Sequence, residues 1–495
     1  MSGARSGNSL LPFGVDSPSR HGSAPRPFAS PRPNRDSAVL PDLLSRTLGT
    51  TLLLLLVAGT SSCRHIGLGG PATSDPDSVT VLWTGAVTDS SARVVARYEE
   101  SGAQVRLAVD TSATWSDPIV LDGTPSRTNK NAHHFQLTGL TPKTTYHYAL
   151  EINGRVDTTH SGHFRTFGDG PFSFRVALGA CALTGSNHPV FTTIRQAQPD
   201  LFLHMGDLHY EDIATTNPQP FRRAYRTVHG AKRQAALYRS TALAYIWDDH
   251  DYGPDNSSRR APGQDAAQRV YREYVPHYEL ARAESAQPIY QAFTMGRIRF
   301  LLTDLRSART PNDAPDSVKT MMGAEQKAWF KRQLAAANDR YPVVAWVSSV
   351  PWISEGGNDR WGGFAEERRE LATYIDSIGI ADEMVILSGD AHMVALDDGT
   401  HNQYGLEGGG GFPVVHAAAL DQIGSEKGGP YTHGPFPNPF VVFGSTDGQF
   451  VLMDVEDDGG NKVCITWTGK RHEIATGRVV DLLEWRKCFP TPRTK

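Results

Sequence analysis

The stretch from Pro199 to Tyr210 reads PDLFLHMGDLHY. Its apolar run has the length and composition of a buried β-strand, and Gly206 permits a tight turn after it. The turn delivers Asp207, whose carboxylate is a hard oxygen ligand able to bridge two cations. The stretch therefore predicts a strand that places a metal-competent side chain at its carboxyl end.

The same pattern recurs from Phe172 onward. Apolar strands alternate with longer helical stretches, which indicates α/β layers. The further strands are FRVALGAC, ALAYIWDDHD, RIRFLLTDLR, YPVVAWVSSVP and MVILSGDAH, and the C-terminal part returns to strands in VVFGS, FVLMDVED and VCITWTG. Amphipathic helices are expected at roughly residues 262–284, 324–338 and 364–378. Because ligands of open α/β sheets bind beyond the carboxyl ends of strands, the polar side chains found there are expected to converge.

Residues 78–168 have a different texture, with short alternating apolar patterns broken by turn signals. Such a pattern predicts an antiparallel β-sandwich. The segment LTGLTPKTTYHY, residues 137–148, resembles the end of a fibronectin type III-like module, in which a tyrosine locks a strand corner. Trp83 is then expected in the core. His133 and His134 are adjacent in a predicted strand, so their side chains point to opposite faces of the sheet. We therefore expect them to lie on either side of one strand ladder and not to bind one metal.

The N-terminal residues resemble an export signal. Residues 1–47 lack hydrophobic periodicity and are expected to be disordered. Residues 48–63 contain the run TLLLLLVA, small residues and Cys63, which resembles a bacterial lipoprotein signal and is too short for a permanent membrane helix. A buried core helix is the alternative, and the Pro-, Ser- and Gly-rich flanks disfavour it. We therefore expect export to the periplasm or cell surface, with Cys63 either lipid-anchored or close to a cleavage point, and a linker at 64–77.

Composition excludes few functions. The 495 residues are 39% apolar and 21% charged, as in ordinary globular proteins. The formal charge of −4 provides no general attraction for phosphate backbones, which argues against a nucleic-acid-binding surface. Any basic site must be local. Four cysteines are too few for a disulfide scaffold, so each is interpreted by its surroundings.

Three further motifs carry metal chemistry. WDDHDYG, residues 247–253, packs three carboxylates and a histidine together, which is costly without cations because like charges repel. A solvated acidic turn is the alternative, but the apolar residues before it disfavour that. In SGDAH, Asp390 and His392 share one face of an extended segment or are brought together by a turn. Cys181 ends the strand FRVALGAC; a lone cysteine is usually a buried structural thiol, and its strand-end position favours a metal ligand.

The ordered set Cys181, GDLHY, WDDHDYG, TDLRSAR and SGDAH resembles the PhoD-type alkaline phosphatases of the calcineurin-like metallophosphoesterase superfamily. The resemblance implies an α/β (α+β sandwich) metallophosphoesterase domain at 171–495, with two β-sheets flanked by helices, after the all-β fibronectin type III-like sandwich. The metal ligands that it implies are Cys181, Asp207, Tyr210, Asp249, Asp390 and His392. Thiolate and phenolate favour Fe³⁺, and the additional carboxylates suit Ca²⁺.

The resemblance also implies roles around the substrate. His250 would stabilise charge on the scissile phosphate or protonate the leaving group, and Asp251 would orient it. Arg306 of TDLRSAR would hold phosphate with its guanidinium, although an internal pair with an aspartate such as Asp304 is equally compatible with the residues. At VSSVPW, residues 347–352, the superfamily usually supplies a histidine ligand and this chain does not, which leaves the second ligand set open.

The implied activity is hydrolysis of phosphate monoesters, from small-molecule or lipid substrates, by a metal-activated hydroxide. A phosphodiesterase or phospholipase D-like activity is an alternative that needs room on both sides of phosphorus, and the loop through Trp352, Trp361 and Phe364 is a candidate lining for that space. A non-catalytic surface lipoprotein is disfavoured because the ligand pattern is intact. Cys464 and Cys488, in the terminal β region of an exported protein, are expected to form a structural disulfide.

Overall fold

The computed structural model describes residues 78–100, 102–284, 286–441 and 445–492. The expectations of a disordered extension at 1–47, a signal at 48–63 and a linker at 64–77 lie outside these residues. In the described part, none of the helices combines the length and apolarity needed to cross a bilayer. The strands of the N-terminal module are β1 Val79–Gly85, β2 Ser91–Tyr98, β3 Val105–Asp110, β4 Ile119–Asp122, β5 Thr124–Pro125, β6 Ala132–Thr138, β7 Thr145–Ile152, β8 Arg155–Val156 and β9 Gly162–Arg165.

The N-terminal module is built from two antiparallel layers, as its alternating pattern predicts. One layer has the order β1-β2-β6-β5, and the other places β4, β3 and β7 side by side, with β8 and β9 paired to β7. Trp83 is fully buried, and its indole N–H donates to the carbonyl of Tyr274 at 2.6 Å. The Tyr146 hydroxyl accepts the backbone N–H of Thr141 at 2.9 Å, which forms the expected tyrosine corner.

The rest of the chain alternates helices with strands and then ends in three long strands. A short 3₁₀ segment, Trp361–Phe364, directly precedes α7. The elements are β10 Phe174–Gly179, α1 Pro189–Gln196, β11 Leu201–His204, α2 Pro218–Gly230, α3 Lys232–Ser240, β12 Ala242–Tyr245, α4 Asp249–Tyr252, α5 Gln264–Tyr274, β13 Gln291–Met295, β14 Ile298–Leu302, α6 Gly323–Ala337, β15 Val343–Ser348, α7 Ala365–Ser377, β16 Met384–Ser388, β17 Met393–Asp397, β18 Val414–Ala417, β19 His433–Pro437, β20 Gly448–Glu456, β21 Lys462–His472 and β22 Val479–Pro490.

These strands form two sheets. The larger has the order β22-β21-β20-β10-β11-β12-β1-β2-β6-β5, and the smaller has the order β13-β14-β15-β16-β18-β17-β19. Each contains a parallel central trio, β10-β11-β12 in one and β14-β15-β16 in the other. The apolar side chains of both trios are almost completely buried. This arrangement confirms the predicted two-sheet architecture, and it brings the carboxyl ends of the parallel strands to one region.

The N-terminal layer continues the larger sheet instead of standing apart from it. Strand β1 pairs in parallel with β12, where Gly85 lies opposite Leu243. A Cβ atom at Gly85 would come within 2.5 Å of the Leu243 carbonyl oxygen, so the close contact requires glycine at this position. The two modules therefore share one hydrogen-bonded sheet, a long-range pairing that the alternating pattern of residues 78–168 does not predict.

Two of the expected helices match α6 and α7 to within a residue, but the first is shorter than expected. Helix α5 ends at Tyr274, whereas the pattern predicts helix to residue 284. The residue after it, Val275, precedes Pro276, and a residue before proline disfavours helical backbone. Strands β20 and β21 confirm FVLMDVED and VCITWTG, while residues 442–444 of VVFGS lie outside the described part. Cys464 and Cys488 face each other across β21 and β22 and form the expected disulfide.

Candidate metal centre

Four strand ends meet at a buried cluster of polar side chains. Cys181 follows β10, Asp207 follows β11, Asp249 begins α4 after β12, and Asp390 follows β16. Their exposed fractions are 0%, 1%, 2% and 5%. The expectation that side chains far apart in sequence converge at the strand ends is therefore met for these four.

The backbone at three of these positions is strained. Cys181, Asp207 and Asp390 have φ angles of +63°, +55° and +65°, in the left-handed region that non-glycine residues rarely adopt. Each such residue costs on the order of 1–3 kcal/mol, and residues of this kind concentrate at functional sites. Gly206 precedes Asp207 at φ +115°, and a Cβ atom there would lie 2.6 Å from the Asp248 Cβ atom. The turn after β11 therefore requires glycine to bring Asp207 against the β12 end.

Cys181, Asp207, Tyr210 and His392 form what we call the thiol–phenol group. The Cys181 thiol lies 3.5 Å from Asp207 Oδ2, and the Tyr210 hydroxyl donates to the same oxygen at 3.0 Å. The Tyr210 oxygen is also 3.1 Å from His392 Nε2. His392 Nδ1 lies 2.6 Å from the carbonyl oxygen of Ile423, so that nitrogen carries the proton and Nε2 keeps a lone pair toward the group. The four side chains thus offer sulfur, oxygen and nitrogen donors in a connected chain of contacts.

Asp207 connects the thiol–phenol group to a second set of donors. One oxygen of Asp207, one oxygen of Asp249 and one ring nitrogen of His250 lie within 4.8 Å of one another. Asp249 Oδ2 accepts the backbone N–H of Asn256 at 2.6 Å, which fixes the carboxylate. Asp207 is therefore in contact with the thiol–phenol group and also belongs to the group formed with Asp249 and His250.

The donor set fits metal ions because several of its oxygens are buried without a hydrogen-bond partner. A buried carboxylate oxygen without a partner is costly, and a cation would satisfy it. Among the described residues, the unpartnered oxygens of the cluster are Asp207 Oδ1, Asp248 Oδ2, Asp249 Oδ1 and Asp390 Oδ2. Carboxylate oxygens are the ligands that hard cations prefer, and two of these residues, Asp207 and Asp249, belong to the group whose donor atoms lie within 4.8 Å of one another.

The electrostatics of the cluster agree with this interpretation. Burial, together with the neighbouring Asp249 and Asp248, raises the pKa of Asp207 well above its ordinary value. Burial raises the pKa of Cys181 and of Tyr210 as well, and the charge of Asp207 adds to both shifts. These shifts belong to the metal-free protein, and a bound cation would reverse them by stabilising the anionic forms. Burial lowers the pKa of His392 to about 4, so its imidazole is neutral and able to act as a ligand.

His250 lies at the edge of the cluster, and its side chain is 18% exposed. Its Nδ1 lies 2.6 Å from Asp212 Oδ1, and its ring stacks on Tyr210 with centroids 4.1 Å apart. Burial lowers the pKa of His250, but Asp249 and Asp212 outweigh that effect and raise it overall. The imidazole is thus oriented, partly accessible and favoured in its protonated form.

The prediction that Asp251 orients His250 is wrong. Asp251 accepts the backbone N–H groups of Leu208 at 2.9 Å and Asp248 at 2.8 Å, and the hydroxyl of Tyr245. It therefore ties the loop after β11 to the start of α4. The orienting carboxylate is Asp212, because the helical backbone of α4 directs adjacent side chains to different faces.

The interpretation of Arg306 as a phosphate clamp is also corrected. Its side chain is 0% exposed, with Nε 2.5 Å from Asp248 Oδ1 and Nη1 2.8 Å from Asp359 Oδ1. The third nitrogen, Nη2, is 3.5 Å from Asp249 Oδ1. Arg306 therefore forms internal ion pairs with aspartates, which was the alternative interpretation of the sequence, but its partners are not Asp304. It neutralises the carboxylates behind the metal cluster.

Lys427 is a site residue that the sequence motifs do not reveal. Its ammonium lies 2.5 Å from Asp390 Oδ1 and 3.6 Å from Asp359 Oδ2, and its side chain is 27% exposed. Burial lowers the pKa of Lys427, but Asp390 and Asp359 outweigh that effect and raise it, so the group stays charged. The residues around Lys427, SEKGGP, carry no strand-end pattern, so only the folded chain places it here.

The aromatic loop after β15 does not line a substrate space. Trp352 and Trp361 are completely buried and Phe364 is 2% exposed. The two indoles pack edge to face with each other and with Trp346 of β15. At the position where a histidine ligand was sought, Ser349 donates to Asp248 Oδ1 at 2.8 Å. The loop therefore belongs to the core beneath the smaller sheet.

Comparisons with known proteins agree with the fold. Residues 177–419 match the family model of the PhoD-like phosphatases, and residues 67–166 match that of the purple acid phosphatase N-terminal domain. Purple acid phosphatase 15 of Arabidopsis thaliana is 24% identical over 270 residues, which cover 50% of this chain and 45% of the relative. An uncharacterised protein of Mycobacterium tuberculosis is 25% identical over 273 residues, which cover 48% of this chain and 49% of the relative. The chain thus spans about half the length of these curated relatives.

Two solved structures share the fold over most of the chain. A structure of PhoD superposes with a TM-score of 0.66 at 14% identity, covering 86% of this chain and 92% of that one. Purple acid phosphatase PPD1 from yellow lupin (Lupinus luteus) seeds has a TM-score of 0.53 at 12% identity, covering 82% of this chain and 73% of that one. The fold is therefore that of these phosphatases, and residues 177–419 are a PhoD-like phosphatase domain.

Proposed function

We propose that this protein is an exported, metal-dependent phosphatase that hydrolyses phosphate monoesters. The observation that carries the proposal is the cluster of Cys181, Asp207, Tyr210 and His392 with Asp249 and Asp390, in which three buried carboxylate oxygens lack hydrogen-bond partners. The PhoD-like phosphatase domain supports the same reaction class. Export rests on the signal-like residues 48–63, and Cys63 would supply a lipid anchor to the membrane.

The thiol–phenol group would hold one cation, and we assign Fe³⁺ because thiolate and phenolate suit it. Asp249 and Asp390, with Asp207 shared, would hold a second cation, for which Ca²⁺ fits the carboxylate oxygens. Bound cations at such a site lower the pKa of water and neutralise phosphate oxygens. The ligand residues supply rigid positions, since strained loops and backbone hydrogen bonds fix them before the substrate arrives.

His250 is the side chain best placed to act on the leaving group. It is partly exposed beside Asp207 and Asp249, and Asp212 fixes its ring. A protonated imidazole there can donate to the departing oxygen. Phosphate would be contacted by Lys427, because among the cations that border the cluster its side chain is 27% exposed, whereas those of Arg306 and Arg309 are 0% exposed.

The metal and substrate assignments are tested together on purified protein. We expect iron and a second cation by elemental analysis, and turnover of p-nitrophenyl phosphate that chelation removes and metal restores. Bis-p-nitrophenyl phosphate is the matched probe, and a strong preference for it would favour a phosphodiesterase or phospholipase D-like enzyme. Protein that holds neither metal and stays inactive after reconstitution would support a non-catalytic surface lipoprotein instead.

Replacing Lys427 with methionine tests the proposed phosphate contact. We expect KM for p-nitrophenyl phosphate to rise on the order of tenfold, the loss of one charge-assisted contact of about 1.4 kcal/mol. Lys427→Arg keeps the charge and should retain most of the affinity. An unchanged KM together with altered metal content would show that Lys427 serves only as the partner of Asp390.

A further inference from the structure

A cavity of about 390 Å³ opens where the N-terminal module meets α2 and α3, with none of the candidate metal ligands in its wall. The wall residues with polar side chains are Thr80, Thr159, His160, Arg226, His229, Lys232 and Arg239. From this set we infer that the cavity binds a phosphate-type oxyanion. The chain as a whole is acidic, at −4, so this concentration of positive charge is local.

The cations of the cavity are poorly neutralised by protein. Among the described residues, no carboxylate oxygen lies within 4.0 Å of the charged nitrogens of Lys232 or Arg239, and no aspartate or glutamate belongs to the wall. Arg226 is 4.0 Å from Glu99, which is already paired with Arg97. The uncompensated charge points to an anionic ligand.

The acid nearest to the wall residues is already engaged. Asp157 is 4% exposed, and its two oxygens bind His160 Nδ1 at 2.7 Å and the backbone N–H of Thr159 at 3.0 Å. It therefore holds His160 in the wall and is largely hidden from the cavity. An anion in the cavity would contact the basic side chains, while the charge of Asp157 offsets part of that of Arg239 from behind the wall.

The histidine of the cavity wall is held by aromatic packing. His229 lines the cavity, is 7% exposed, and has no hydrogen-bond partner at Nε2. Its ring is fixed edge to face against Trp83, with centroids 4.6 Å apart. Burial lowers the pKa of His229 to about 3, so its imidazole is neutral and the positive charge of the cavity comes from the arginines and the lysine.

Side chains supply the attraction for an anion, because the dipoles of the two helix ends at the cavity oppose each other. Helix α2 ends at Gly230 and α3 begins at Lys232, so the negative end of one dipole and the positive end of the other adjoin the same cavity. The guanidinium groups of Arg226 and Arg239 match the geometry of phosphate oxygens. The volume exceeds that of a single phosphate, so the phosphoryl group of an ester or chain is accommodated as well as free phosphate.

The ligand would connect the two modules, since Thr80 and His160 belong to the N-terminal module whereas Arg226, Lys232 and Arg239 belong to α2 and α3. A ligand that binds only the folded protein stabilises it by mass action. The inference stands without the proposed phosphatase activity, because no wall residue is part of the metal cluster.

Calorimetric titration of the metal-loaded full chain tests the site. The probes are inorganic phosphate, tripolyphosphate and, as the carboxylate comparison, citrate. We expect Lys232→Gln/Arg239→Gln to lose one equivalent of phosphate binding, or to bind it at least tenfold more weakly, while p-nitrophenyl phosphate turnover stays within about twofold of wild type. Arg233→Gln is the matched control on the same helix, because that guanidinium donates to Asn187 and does not line the cavity.

Arg226→Gln/Lys232→Gln is a second variant, for use if the first does not fold. Tighter binding of tripolyphosphate than of inorganic phosphate would identify a chain of phosphates as the occupant, and equal binding would identify free phosphate. The same binding in wild type and in the cavity variants would overturn the inference, and so would citrate that binds as tightly as phosphate.

Discussion

Asp207→Asn is expected to lower kcat/KM for p-nitrophenyl phosphate on the order of a thousandfold, the scale seen when a preorganised electrostatic contact is removed from a buried site. Asp207 accepts from Tyr210, lies against Cys181, and is grouped with Asp249 and His250. An asparagine keeps the shape but loses the charge that would bridge two cations. Steady-state kinetics and metal analysis measure the two losses together.

The same substitution should leave the metal-free protein at least as stable as wild type. Burial and the repulsion of Asp249 and Asp248 raise the pKa of Asp207, so its charge destabilises the metal-free fold. Asp110→Asn is the matched control, because Asp110 is also buried but binds a turn in the N-terminal module. Near-normal turnover in Asp207→Asn, or a comparable loss in Asp110→Asn, would contradict the assigned role.

Arg306→Met is expected to lower the free energy of unfolding by about 3–5 kcal/mol, because removing one partner of a buried ion pair leaves its carboxylates without compensation. Arg306 is fully enclosed and contacts Asp248 and Asp359. Urea denaturation of the metal-free protein measures the loss. We expect Arg306→Lys to recover part of it, since a charge remains but the forked geometry does not.

Arg486→Met gives the matched comparison. Arg486 pairs with Glu456 on the surface, where the two side chains are 48% and 59% exposed. Exposed pairs contribute about 0–1 kcal/mol, so this variant should unfold almost as wild type does. A loss in Arg306→Met no larger than that in Arg486→Met would show that Arg306 is not the counter-charge of the cluster.

The sequence predicts the cluster because its signals are local. Each signal lies within about ten residues. It consists of a buried strand, a glycine that allows a sharp turn and an adjacent acidic residue, as in MGDLHY and SGDAH. The convergence of such strand ends then follows from the general geometry of α/β sheets. That is why Cys181, Asp207, Asp249 and Asp390 lie together as expected.

The predictions that were wrong concern contacts between side chains that are far apart in the sequence. Asp251 and Arg306 are residue types that often contact substrates. In the structure, however, Asp251 accepts hydrogen bonds from backbone amides, and Arg306 pairs with the carboxylates of Asp248 and Asp359. Trp352 and Trp361 were predicted to line the substrate space, but both are buried in the core. Local patterns contain no information on solvent access, so accessible and enclosed versions of one motif look alike.

By itself, the sequence predicted the α/β layers and the polar side chains at the strand ends, and its resemblance to one phosphatase family implied the two sheets. Only the tertiary structure decided that Lys427 enters the cluster, that Asp212 holds His250, and that Arg226, Lys232 and Arg239 share one cavity. Hydrophobic periodicity and turn-forming residues involve neighbours in the sequence, so they can be recognised without the folded structure. Charge pairing depends on distance in space, and folding alone sets that distance.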